Sequence, residues 1–392
     1  MTRIKKAIKE FCFVTDYVAN GSFASLKENV IYKNSPDYAV LVRVTDFTKN
    51  WNNNYVWVDE ASFRFLGKST LNPDDLIMAN VGETGKCFIV PDLGQPMTLG
   101  PNAILIRPDL TESTSRYLFY YFTSEIGRQS IEKISSATTQ SKFNKTSFRE
   151  LEIPLPPLHI QQQIVDTLDK ANDLRKKDKE LIRKYDELAK SIFYDMFGDP
   201  VTNEKNWKIT PLGELGIWKS GGTPSRANSS FFEGSIPWLS SGELNDMYVS
   251  KSKEHITPEA VRDSAAKIIT PGSLLLGMYD TAALKSSITK HELSCNQAIA
   301  FAKLDDSLCS TQFVYFYIQM AKEHLKRGQR GVRQKNLNLS MVKELPVIAP
   351  PLEMQRAFTS ILNDLYKQKK IAERNAQQSD VLFNSMLWTN YN

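Results

Sequence analysis

The sequence has 392 residues, 41% of them hydrophobic, which is enough for two or three domains with proper cores and no covalent staples. Its 49 Lys and Arg against 44 Asp and Glu give a net charge of +5, too mild by itself to establish a nucleic-acid role. The cysteines Cys12, Cys87, Cys295 and Cys309 lack CxxC spacing, which argues against a disulfide framework or zinc knuckle; with no apolar leader and no run of about 18 apolar residues, a cytoplasmic protein is expected.

Residues 1–153 read as a mixed domain, with short β-rich runs such as Tyr38–Val44 and a helical tail from Ser115 to Ile134. The tail's Tyr117, Phe119, Tyr120, Tyr121 and Phe122 stand at helical spacing and are assigned to the core. The segment Gly82–Cys87 imitates a phosphate loop, but Asn80 stands where its first glycine belongs and Cys87 where Ser or Thr would hold magnesium. ATP binding is not expected. Within 154–198, prolines precede Leu158, no Gly or Pro follows until Gly198-Asp199-Pro200, and one long helix is predicted from Leu158 to Phe197. Its apolar stripe takes in Ile164, Leu168, Ala171, Leu174, Leu181, Tyr185, Leu188 and Ile192.

Residues 199–347 read as a second mixed domain, with a β-rich run at Ser273–Met278 and a tail from Thr311 to Arg327 carrying Phe313, Tyr315, Phe316 and Tyr317. Lys322, Lys326, Arg327, Arg330, Arg333 and Lys335 form the densest basic cluster, equally readable as a solvated face. A second long helix is predicted within 348–392, from Leu352 onward, with Phe358, Leu362, Leu365, Ala372, Leu382 and Met386 as its stripe.

The two halves repeat. Pro156-Pro157-Leu158-His159-Ile160-Gln161 returns 194 residues later as Pro350-Pro351-Leu352-Glu353-Met354-Gln355, and the ungapped register extends from Gln140 to Phe197. Two stripes in one chain most simply pack on each other, while the charged middles, Arg175–Glu180 and Lys367–Lys370, suit a solvated two-helix spacer. Upstream the halves diverge: Asn20-Gly21-Ser22-Phe23 and Arg43-Val44-Thr45-Asp46-Phe47 in one, Ser220-Gly221-Gly222-Thr223-Pro224 and Ile236 to Glu243 in the other. His159, His255, His291 and His324 form no metal spacing, no Asn- or Asp-Pro-Pro-aromatic tetrad marks an adenine methyltransferase, and no carboxylate pair is singled out for hydrolysis.

On Leu151-Glu152-Ile153-Pro154-Leu155-Pro156-Pro157-Leu158 with Gln161, its echo from Glu344 to Gln355, the Ser220–Ser225 motif, Ile236-Pro237-Trp238 and Asn296-Gln297-Ala298-Ile299, the chain resembles the DNA specificity subunit of type I restriction-modification systems. The resemblance covers nearly the whole chain. It implies an α+β fold in which two target-recognition domains are separated by two long antiparallel coiled-coil helices with pseudo-twofold repetition. It also implies a non-catalytic chain that binds double-stranded DNA and directs two methyltransferase (modification) subunits and restriction/translocase subunits. S-adenosylmethionine, ATP and Mg would sit on those partners and no cofactor on this chain. Gln161 and Gln355 are assigned to partner binding; Gln355-Arg356 stands in the second helix where the first has Gln161-Gln162-Gln163, so the two docking surfaces differ.

Major-groove reading needs donors and acceptors on polar loops. The loops before the final helix of each half supply Thr138, Thr139, Gln140, Ser141 and Lys142, and Arg330, Arg333, Gln334, Lys335 and Asn336; Asn80, Lys86, Tyr279 and Lys285 are further candidates. Forty helical residues span roughly 60 Å against about 34–36 Å per duplex turn, so a bipartite target with unlike halves is expected. The competing expectation is a coiled-coil scaffold that binds proteins and has no sequence-specific contact with DNA.

Overall fold

The computed structural model describes residues 4–51, 54–136, 141–279, 283–328 and 336–391, and the fold is α+β. Two compact units divide the chain: Met1–Lys179 with Arg374–Asn392, and Glu180–Glu373. The two long helices, Leu158–Phe197 and Leu352–Tyr391, begin and end where the Pro and Gly punctuation places them, and each contributes to both units.

In the first unit an antiparallel sheet runs in the order Cys12–Asp16, Ala103–Pro108, Leu76–Ala79, Cys87–Ile89. A second, mixed sheet runs Tyr32–Lys33, Val56–Val58, Ala39–Val42, Met97–Leu99, Thr70–Leu71, with Ala39–Val42 and Met97–Leu99 parallel. These central strands are buried on both faces, as continuous apolar runs such as Leu76-Ile77-Met78-Ala79 require. The predicted tail splits into Ser115–Thr123 and Glu125–Ile134, because Ser124 turns extended and its hydroxyl oxygen accepts the Gly127 N–H at 3.1 Å. Gly127 permits the corner, since a Cβ there would lie 2.0 Å from the Tyr121 carbonyl oxygen. Tyr117, Tyr120, Tyr121 and Phe122 are core residues.

The second unit repeats this plan. Its larger sheet runs Lys219–Ser220, Ile299–Ala302, Leu274–Gly277, Ser286–Thr289, Tyr248–Val249, and its smaller one joins Ile236–Leu239 to a parallel Ser294–Cys295 and an antiparallel Glu254–Ile256. Asn144 and Asn338, 194 residues apart, each cap a five-residue helix, and the strands Glu152–Pro154 and Pro346–Ile348 follow at the same offset.

The long helices pack differently from one continuous seam. Ile164, Val165 and Leu168 of the first helix, with Phe383, Leu387 and Tyr391 of the second, complete the core of the first unit. Their repeat counterparts Phe358 and Leu362, with Ala189, Phe193 and Phe197, complete that of the second. Leu174, Leu181, Leu188 and Leu382, expected in the stripes, are 46%, 41%, 47% and 52% exposed. Heptad spacing marks one face of a helix but not what covers it. Between the core-forming ends the helices meet through polar pairs. Arg175 Nε donates to Asp380 at 2.6 Å and the Ser379 hydroxyl to Asp178 at 2.6 Å in the first unit, and Lys369 donates to Asp186 at 2.6 Å in the second. Arg175–Asp380 and Asp186–Lys369 are the same pair under the repeat, and the order of contacts makes the helices antiparallel.

Candidate nucleic-acid interface

In each unit one sheet, that of Leu76–Ala79 in the first and that of Leu274–Gly277 in the second, delivers its turns to one end, and the same backbone bonds hold them there. In the first unit the strand Leu76–Ala79 leads into the turn Asn80–Lys86; the Asn80 N–H donates to Asn102 O at 3.1 Å, and Asn80 O accepts the Phe143 N–H at 3.1 Å. In the second, the Met278 N–H donates to Ala298 O at 2.8 Å and Met278 O accepts the Leu337 N–H at 2.7 Å. The other sheet of each unit joins at this end too: Gly100 N–H donates to Val42 O at 2.8 Å, and Asn296 N–H to Leu239 O at 2.9 Å.

Four expected residues of the first unit come together here. Ser141 shares a 2.7 Å hydrogen bond with Thr84, while its carbonyl accepts the Gly82 N–H at 2.9 Å. Lys142 is exposed and bridges to Val81 and Ser136. Lys86 is exposed and pairs with Glu83 at 2.6 Å, a contact that solvent weakens and a phosphate can replace. Asn80 Oδ1 is buried without a partner among the described residues, and Asn80 Nδ2 reaches Phe143 O at only 3.5 Å.

In the second unit the exposed Tyr279 follows Met278, Lys285 donates to Asn245 Oδ1 at 2.9 Å, and Asn336 is exposed beside Leu337. Thr138, Thr139, Gln140, Arg330, Arg333, Gln334 and Lys335 lie outside the described residues. Within the basic cluster, burial and then the neighbouring Lys326 hold the Lys322 ammonium below the usual lysine range.

Gln161 and Gln355 are not on a docking surface. Gln161 is wholly buried: its Oε1 accepts from Ser113 at 2.8 Å and its Nε2 donates to the Glu112 and Pro156 carbonyls, both at 2.8 Å. Gln355 accepts the Ser310 N–H at 3.0 Å and donates to Pro350 O at 2.8 Å. Each amide ties the start of a long helix to its own unit from a buried position.

Sequence reasoning missed several residues at these sheet ends: Thr84, Arg43 and Asp46 in the first unit, Asn245, Thr223 and Gln297 in the second. Thr223 donates its hydroxyl to Gln297 Oε1 next to Ala298. The glycines of the Ser220–Ser225 motif are there for packing. A Cβ on Gly221 would stand 2.3 Å from Asn296 O, and one on Gly222 2.2 Å from the Ala265 backbone. Gly222→Ala is therefore expected to cost about 1–3 kcal/mol of overpacking, read as a lowered denaturation midpoint; an unchanged midpoint contradicts the close approach.

Burial pushes the Cys87 and Cys295 thiols up to about 12, far from a reactive thiolate. Among the described residues no group of three or more His, Cys, Asp or Glu is placed to hold a metal, and no helix is long and apolar enough to cross a membrane.

Comparison with known proteins accords with this two-unit plan. A family model described as type I restriction modification DNA specificity domain matches twice, over residues 6–184 and 204–378. The chain is 32% identical over 235 residues to the EcoR124I/EcoR124II specificity subunit of Escherichia coli, covering 56% of each protein. It is 22% identical over 271 residues to the MjaIX specificity subunit of Methanocaldococcus jannaschii, covering 65% of this chain and 63% of that one. The aligned chain thus spans less than two thirds of either relative. In fold it is similar to the S subunit of a type I restriction-modification system from M. genitalium, with a TM-score of 0.58 at 13% identity over 100% of this chain and 96% of that one.

Proposed function

We propose, for a chain that belongs to the type I restriction-modification DNA specificity family, that it reads an asymmetric, bipartite duplex target and directs partner adenine methyltransferase and restriction subunits to it, without a catalytic centre of its own. The supporting observation is the pair of sheet ends, built on one backbone frame yet carrying different side chains: Asn80, Thr84, Lys86 and Ser141 in one, Tyr279, Lys285, Gln297 and Asn336 in the other. One frame with two side-chain sets suits two readers of unlike base sequences. S-adenosylmethionine, ATP and Mg belong to the partner subunits, and the assembly works in the cytoplasm.

The long helices set the spacing between the two half-sites in this reading. They are forty residues each and pair through the repeat-related Arg175–Asp380 and Asp186–Lys369 contacts. A matched insertion of four residues after Lys177 and after Ile371 adds about 6 Å of helix, near two base pairs of duplex rise. Methylation mapping of that variant with its partner subunits is expected to return the same half-sites about a changed spacer. An unchanged spacer rejects the helices as the measuring element. If the wild-type complex prefers no duplex over its scrambled version, the scaffold reading replaces this one.

A further inference from the structure

We infer that Arg43 is a guanine-reading residue of the first unit, held in position by the buried carboxylate of Asp46. This rests on the proposed DNA-reading role and adds to it a residue and a base. The strand Ala39–Val42 ends where its last carbonyl accepts the Gly100 N–H, and two residues further Asn102 O accepts the Asn80 N–H, so Arg43 emerges at the same sheet end as the Asn80–Lys86 turn.

There the chain makes a short capping turn. The Arg43 N–H donates to Asp46 Oδ2 at 2.7 Å, and the guanidinium donates to the same carboxylate from Nε at 3.1 Å and from Nη2 at 2.8 Å. Nη2 also donates to Asn54 O at 3.1 Å, while Nη1 has no hydrogen bond among the described residues. The Asp46 side chain is fully buried and that of Arg43 35% exposed. The Nε–Nη2 edge of the guanidinium is thus clamped by Asp46, Nη2 gives its second hydrogen to Asn54 O, and Nη1 is the nitrogen left without a partner among the described residues at the turn-bearing end.

The second unit shows that the turn does not require an arginine. At the matching strand exit the carboxylate of Glu243 accepts the Ser240 N–H and hydroxyl, both at 2.8 Å, and the Lys253 N–H at 2.9 Å. The same turn closes on a serine, so the guanidinium is a feature of the first unit and not of the frame. An arginine restrained by a carboxylate loses little freedom on binding, and Nη1 together with Nη2, once the base displaces the exposed Asn54 O, makes the planar fork that matches O6 and N7 of guanine in the major groove.

The test uses the full chain assembled with its methyltransferase partners and a library of duplexes substituted singly through both half-sites. The wild-type complex is expected to require a G·C pair at one position, with a preference of about 10- to 100-fold. Arg43→Lys keeps a cation against Asp46 but has no fork, and is expected to lose that preference while every other position and the other half-site stay as they were. The double variant Arg43→Gln with Asp46→Asn leaves no charge buried alone, and its amide matches N6 and N7 of adenine, so the preference at that one position is expected to move from guanine to adenine. An unchanged profile in folded variants overturns the assignment. So does a uniform weakening across all sequences with a salt slope lower by about one, the mark of a phosphate contact, or a wild-type target with no G·C pair in the half-site that the first unit reads. A wild-type complex indifferent to sequence would instead overturn the DNA-reading role itself.

Discussion

Phe193→Ala is expected to destabilise the unit Glu180–Glu373 by about 3–5 kcal/mol, a large part of the stability of an ordinary domain. Phe193 belongs by sequence to the first long helix, yet its ring is fully buried among Phe197, Phe313, Phe316 and Phe358, at centroid distances of 5.1, 6.0, 5.5 and 5.5 Å. Truncation removes the ring's transfer free energy, leaves a cavity among four neighbouring rings, and forfeits stacked, tilted and edge ring contacts worth about 0.5–1.5 kcal/mol per pair. Denaturant unfolding followed by fluorescence of Trp207, Trp218 and Trp238, all in this unit, should report the early loss. A change below about 1 kcal/mol would mean that the helix end is only laid against the unit.

Gln161→Leu is the second large effect, at about 3 kcal/mol. The substitution keeps the volume but strands the Ser113 hydroxyl and the carbonyls of Glu112 and Pro156 inside the first unit, and each buried polar group left unpaired costs about 1–3 kcal/mol before relaxation. Gln355→Leu breaks two of its protein contacts, to Ser310 N–H and Pro350 O, and should cost less. Chemical denaturation of the two variants side by side checks the order. Were these glutamines docking residues instead, both variants would keep wild-type stability and lose only their affinity for the methyltransferase subunits.

The contrast between these glutamines and the helices around them shows what the sequence reveals. Helix limits at Leu158, Phe197 and Leu352 were legible because proline and glycine act locally, and the repeat register fixed equivalent helices and caps without any coordinates. Leu174, Leu181 and Leu188 were not, because periodicity identifies a face and says nothing about its cover. Gln161 and Gln355 stood out as a repeated polar pair after a proline motif, but only the fold shows that they are buried and satisfy the Pro156 and Pro350 carbonyls.

The candidate interface was legible in part. Asn80, Lys86, Ser141 and Lys142 assemble at one sheet end as expected of polar turn residues. Arg43-Val44-Thr45-Asp46 and Ser240-Ser241-Gly242-Glu243 read as unrelated, yet they occupy one turn. Their kinship lies in a carboxylate three residues after a strand exit, accepting the N–H at that exit, and this survives the loss of every shared side chain. A search for a carboxylate at that spacing in both halves would have found it.

The interleaving of helix ends and cores has a consequence for how the protein is made. Glu180–Glu373 is one continuous stretch and has all its core residues once it clears the ribosome. The earlier-synthesised unit waits for Phe383, Leu387 and Tyr391, which arrive only after its neighbour is finished. Birth order and maturation order are thus reversed, and the nascent N-terminal half spends that interval with apolar groove and aromatic residues uncovered, the window in which a chaperone has most to do.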